Sequence, residues 1–227
     1  MKKTAMTVAT CLIGLAPVLG HAASVSPVFV DMGLETTTAE GTRMYRADLT
    51  GLGLTEVAAV TIKDSNSGLG GSPGIYSGFD LDAVFLDQDG SLATIADRIF
   101  VSALMFSAGT LRPGGVLPPS SSGGTTNGST ATGVDEPFAT LNDVDAIWFG
   151  TGSLTLGDGG SLVAAFASAV EIGSSMFLFV GEVSGDPGEI VDASIEIADV
   201  VPAVPLPATG LLLAGALGLM GLRRRRG

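Results

Sequence analysis

Three short segments each carry two aspartates separated by one residue: Asp80 and Asp82, Asp87 and Asp89, and Asp143 and Asp145. In a strand, residues i and i+2 project from one face with Cα atoms about 6.6–7 Å apart, so each pair presents two carboxylates together. Asp87 and Asp89 lead directly into Gly90, where a strand should give way to a turn. Carboxylates gathered at such a junction, with backbone carbonyls beside them, are the ligand set that Ca2+ takes. The six aspartates are therefore candidate calcium ligands. The competing reading is that they keep a sheet face soluble and blunt an edge against aggregation.

Other chemistries fit the residues less well. The run Asp87-Gln88-Asp89-Gly90 is not an EF-hand loop, because Gly90 at position 6 places Phe85 at position 1 and Ala96 at position 12. Paired carboxylates also serve glycosidases. With 23 acidic residues in the chain, Glu171, Glu182 and Glu189 are equally eligible and nothing nominates a pair. The glycines form no phosphate-cradling motif and read as turn residues. Trp148, Tyr45 and Tyr76 are a sparse aromatic set for a sugar platform, and Trp148 within DAIWFG reads better as core.

The elements that must position these aspartates are short. SPVFVDMG, MYRADLTG, VAAVTIKD, GFDLDAVFLDQDG, DAIWFGTG, SLTLGDGG, MFLFVGEVSGD and IVDASIEIAD are apolar runs bounded by Gly, Asp, Asn and Pro. That spacing predicts the strands of a β-sandwich, jelly-roll-like in character. Phe79, Leu81, Ala83 and Phe85 should share the face opposite Asp80 and Asp82 and form core. SIEIAD alternates strictly, whereas MFLFVGEV is continuous and predicts a central strand buried on both faces. SLATIADRIFVSALMFSAG and SLVAAFASAVEIG have some helical character but are read as mostly strand. LDAVF and VDAIW form a weak internal repeat. Residues 113–133, almost entirely Gly, Ser, Thr and Pro, have too little apolar surface to offset ordering and predict a flexible inserted loop.

Two absences restrict the chemistry. Cys11 is the only cysteine and His21 the only histidine, and both fall in the N-terminal 22 residues. A body from residue 23 onward has no Ser-His-Asp site, no Cys-His site and no zinc site of the usual kind. Any metal must be a hard cation held by oxygen, and the chain reads as a non-enzyme. The net charge of −12 understates the acidity, because Lys2, Lys3 and Arg223 to Arg226 lie in the terminal segments. Such a surface repels nucleic acid.

The N-terminus has Lys2 and Lys3, an apolar stretch from Ala5 to Leu19, and small residues thereafter. This is the pattern of a secretory signal peptide over residues 1–22, with cleavage after Ala22 or, as second choice, Ala23. At the other end, Thr209 to Leu222 is an apolar run of 14 residues, roughly 21 Å as a helix and short of a comfortable membrane span. Arg223, Arg224, Arg225 and Arg226 then form a stop-transfer block on the cytoplasmic side. Pro205 and Pro207 keep the approach extended, which suits a segment awaiting a protease-like enzyme.

The motif Val204-Pro205-Leu206-Pro207-Ala208, with Thr209, the apolar helix and the arginine block, resembles a VPLPA-CTERM tail, a variant of the PEP-CTERM sorting signals. The resemblance implies export through the Sec translocon in a Gram-negative bacterium and transient anchoring in the inner membrane. It further implies processing by an exosortase and delivery to the cell surface or extracellular matrix, in association with exopolysaccharide or biofilm. Leu206 to Gly210 also matches the LPxTG sortase motif, the rival reading of the same letters. SPGIYSGFDLDAVFLD, GTLRP, LGDGGSL and FLFVGEV are similar to the bodies of other surface proteins with this kind of tail, which adds no activity.

The expectation is thus a signal peptide (1–22), a β-sandwich body (23–201) and a sorting segment (202–227). The function expected is structural or interactive, with a Ca2+-dependent carbohydrate-binding module as the alternative.

Overall fold

The computed structural model describes residues 23–35, 41–69, 71, 73–74, 76–115, 141–142, 144, 152–183 and 193–202. Asp143, Asp145, Trp148, the signal peptide up to Ala22, most of the 113–133 loop and the sorting segment from residue 203 lie outside the described residues.

Two antiparallel sheets pack face to face as a β-sandwich. One holds β1 (Ser24–Val25), β11 (Ser194–Ala198), β4 (Glu56–Lys63), β9 (Ser161–Glu171) and β7 (Ala103–Ser107), in that order. The other runs β2 (Phe29–Glu35), β3 (Thr42–Asp48), β10 (Phe177–Val183), β5 (Asp80–Asp87) and β6 (Ile99–Phe100), with β8 (Leu154–Thr155) also on β5. Both stretches with helical character contain strands: the first supplies β6 and β7, the second β9.

Alternation builds the core as expected in β11, where Ile195 and Ile197 turn inward to meet Val60, Ile62, Leu162 and Val180. β10 is the central strand of its sheet and is buried along most of its length. Leu178 and Val180 face the inter-sheet core, while Phe179 faces outward into a second, smaller core. That second core holds Met44, Ala83, Phe85 and Phe179, all fully buried, with Leu92, Val144 and Phe177 packed against it.

The second core corrects the expected facing of β5. Phe79 and Leu81 do enter the inter-sheet core, but Ala83 and Phe85 point the other way. The cause is a bulge: Glu182 pairs with Leu81 and Gly181 with Ala83, so Asp82 has no opposite number. One extra residue reverses the facing of everything after it. Val84 and Leu86 thereby take over the inward positions.

The outer face of this sheet is also not a soluble face at Asp80 and Asp82. They are 7% and 0% exposed, and each accepts a hydrogen bond from a threonine hydroxyl, Thr155 Oγ1 for Asp80 and Thr42 Oγ1 for Asp82. Burial pushes the Asp80 carboxyl up to about 7, against the opposing pull of the Thr155 hydroxyl and the Arg112 charge.

Candidate functional site

The second core is roofed by the chain that leaves β5. Asp87 ends the strand, and its Oδ1 accepts from the backbone N–H of Asp89 (3.0 Å) and of Gly90 (2.6 Å). This Asx turn bends the chain over the outer face. Gly90 has φ +70°, and a Cβ at that position would stand 2.9 Å from the Phe177 ring. Only glycine fits such a turn without strain. Asp89 Oδ1 then accepts from the Ser91 N–H at 2.8 Å, and the Ser175 hydroxyl donates to the Gln88 carbonyl at 2.7 Å.

Two arginines hold the roof down. Arg46, from β3, donates to the Gly90 carbonyl (2.7 Å) with its guanidinium 5.1 Å from the Phe177 ring centroid. Arg98 donates to the Leu92 carbonyl (2.7 Å) and lies 4.6 Å from the centroid of Phe85. Each combines a charge-assisted hydrogen bond with a cation–π contact.

The loop that starts at Asp87 returns at Asp97. Carboxylate oxygens of Asp87, Asp89 and Asp97 all lie within 4.8 Å of one another. Asp87 is fully buried, Asp97 half-buried and Asp89 exposed, so the cluster opens to solvent on one side. Asp87 Oδ2 and Asp97 Oδ1 are buried atoms with no hydrogen-bond partner. Burial raises the Asp87 carboxyl; the Gly90 N–H opposes the rise, and the Asp89 and Asp97 carboxylates add to it. Asp89 is held below its ordinary value by the Ser91 N–H and then by the Thr94 hydroxyl.

Of the six aspartates singled out by spacing, Asp87 and Asp89 come together here. Asp80 and Asp82 are each committed to a threonine within the sheet, and Asp143 and Asp145 lie outside the described residues. Asp97 is new. It lies in a stretch without an Asp-x-Asp pair, and its only sequence signal is an acid that follows DQDG within one turn-rich run. The aromatic set does not form a platform around Tyr45, which is 3% exposed.

A second carboxylate that spacing did not reveal is Asp64, and it is structural. Its Oδ1 accepts from the N–H of Asn66 (2.8 Å) and Gly159 (2.7 Å), its Oδ2 from that of Phe79 (3.2 Å). Arg112 completes this end of the sandwich, donating to the Gly68 and Gly71 carbonyls and lying 3.4 Å from Asp158. Here the backbones approach closely: a Cβ on Gly78 would stand 2.7 Å from the Gly157 carbonyl.

Comparison with protein-family models, with curated proteins and with solved structures finds no match to this chain.

Proposed function

We propose that this chain is an exported structural or interaction protein of the cell surface or extracellular matrix. It is delivered by its signal peptide and a VPLPA-CTERM-like tail, through the Sec translocon, the inner membrane and an exosortase-type enzyme. The observation that carries the reading is the way the sandwich closes on itself. β1 pairs with β11, Ser24 opposite Ala198, so the first and last strands are neighbours. The Ala23 N–H donates to Asp199 Oδ1 at 2.9 Å, and the Asp199 N–H donates to the Ala23 carbonyl at 3.2 Å. The body is thus tied off just inside the two segments that the sequence marks for removal. Cleavage after Ala22 turns the Ala23 nitrogen into an α-ammonium facing Asp199, a stronger bond than the amide makes. That supports Ala22 over Ala23 as the cleavage point.

The finer description of the sandwich as jelly-roll-like belongs to the same proposal. Sheet neighbours distant in sequence, such as β10 between β3 and β5, support it. An association with exopolysaccharide, implied by the resemblance of the tail, also belongs to this proposal. The net charge of −12 argues against a nucleic acid partner.

The test is the intact mass of the protein released from its native host. A chain that begins at Ala23 and ends near Ala208 or Thr209 supports the proposal, and added mass at the new C-terminus identifies the attachment. A chain that retains Arg223 to Arg226 makes the tail a plain anchor and overturns the sorting reading.

A further inference from the structure

The roof over the second core has an electrostatic fault. Three carboxylates converge within 4.8 Å, and two of these residues each have an oxygen, Asp87 Oδ2 and Asp97 Oδ1, that is shut off from water without a hydrogen-bond partner. Buried polar atoms are nearly always satisfied, and an uncompensated carboxylate oxygen is among the costliest to leave bare. A proton shared between two carboxyl groups joins only that pair. A cation satisfies all three carboxylates together.

The geometry points to a Ca2+ site formed by Asp87, Asp89 and Asp97. Carboxylate oxygens within 4.8 Å of one another can share one ion. The flexible coordination of Ca2+ accepts an irregular set of three carboxylates more readily than Mg2+, which demands a near-ideal octahedron. The cluster offers hard oxygen donors, and no His or Cys joins it among the described residues, which disfavours the softer metals. Ca2+ takes 6–8 oxygens. The Gln88, Gly90 and Leu92 carbonyls are engaged by Ser175, Arg46 and Arg98, so water entering on the exposed Asp89 side supplies the balance. The ion joins the start of the loop to its end. It thereby closes the cover over Phe85 and Phe179, and an exported protein meets Ca2+ at the concentrations such sites require.

The experiment uses the full chain, solubilised in mild detergent and stripped with chelator, and adds CaCl2 in calorimetric titration and thermal melting. One Ca2+ per chain should bind in the sub-millimolar to millimolar range, with the midpoint of melting rising by about 3–8 °C at saturation. Asp97→Asn should weaken binding at least about tenfold and melt in the absence of metal no lower than wild type, since it relieves like-charge crowding. Asp89→Asn, at an exposed position, should weaken binding similarly and guards against a folding defect in the first variant. The double variant Asp143→Asn/Asp145→Asn should bind as wild type. No binding heat and an unshifted melt at 10 mM CaCl2 would overturn the site. So would unchanged affinity in both Asp97→Asn and Asp89→Asn, or loss of binding in the double variant alone. Tighter binding of Mg2+ than Ca2+ would overturn the assignment of the ion.

Discussion

Thr42 and Asp82 sit on β3 and β5, with β10 between them, yet the Thr42 hydroxyl donates to Asp82 Oδ2. The contact passes over Gly181. A Cβ there would stand 2.8 Å from Met44 Sδ, 2.9 Å from Thr42 Cγ2 and 3.2 Å from Ala83 Cβ. The missing side chain therefore allows the bulge at Asp82 on β5 to be stitched to β3, two strands away. Gly181→Ala should destabilise the body by about 1–3 kcal/mol, because overpacking and a buried carboxylate parted from its donor act together. Urea unfolding monitored by circular dichroism measures it. An unchanged midpoint would mean the strand simply shifts to make room.

Asp80 predicts an unusual pH profile. Its carboxyl titrates near 7 in the folded chain and near 3.8 when unfolded, because burial disfavours the charge. Between those values the folded chain keeps a proton that the unfolded chain has released, so stability declines as pH rises from about 4 to about 7 and is level above that. The decline attributable to Asp80 is on the order of a few kcal/mol. Asp80→Asn keeps an acceptor for Thr155 without the charge. Relative to wild type it should gain stability at pH 8 while little differing at pH 4. Parallel profiles for the two proteins would refute the assignment.

Gly90 supports the acidic loop from below. A side chain there meets the Phe177 ring at 2.9 Å and is strained at φ +70°. Gly90→Ala should cost about 1–3 kcal/mol and loosen Leu92 from Phe85 and Phe179. Hydrogen exchange of the Asp89, Gly90 and Ser91 amides reports the loosening directly. Protection equal to wild type would show that the turn tolerates a methyl group.

Asp64 is the counterpart at the glycine-rich end. Asp64→Ala leaves the N–H groups of Asn66, Gly159 and Phe79 without their acceptor. The expected loss is about 2–4 kcal/mol, less where water reaches the freed groups. Calcium affinity should not change, because Asp64 is no part of the Asp87, Asp89 and Asp97 cluster. A variant that lost calcium affinity along with stability would tie the two ends of the sandwich together.

Local pattern was enough for some of this architecture. Ile195 and Ile197 against Ser194 and Glu196 state their faces outright, and the continuous apolar letters of β10 announce a strand covered on both sides. The nearness of Asp87 to Asp89 is equally local, since a turn at Gly90 must hold acids two residues apart close together.

Other features depend on partners that no window of sequence contains. Asp80 to Asp87 reads as regular alternation, but pairing with β10 skips Asp82 and sends Ala83 and Phe85 to the opposite face from Leu81. Asp82 is buried because Thr42 reaches it over Gly181, a meeting of three strands that lie far apart in the chain. Asp97 joins Asp87 only because the intervening loop folds down onto a core created by that same bulge. The sequence alone determined the class of fold, the acidity and the terminal motifs, since each depends on composition or on residues within a few positions of one another. Which carboxylates face water, which are buried and which share a site was decided by register between strands, a property of the assembled sheet.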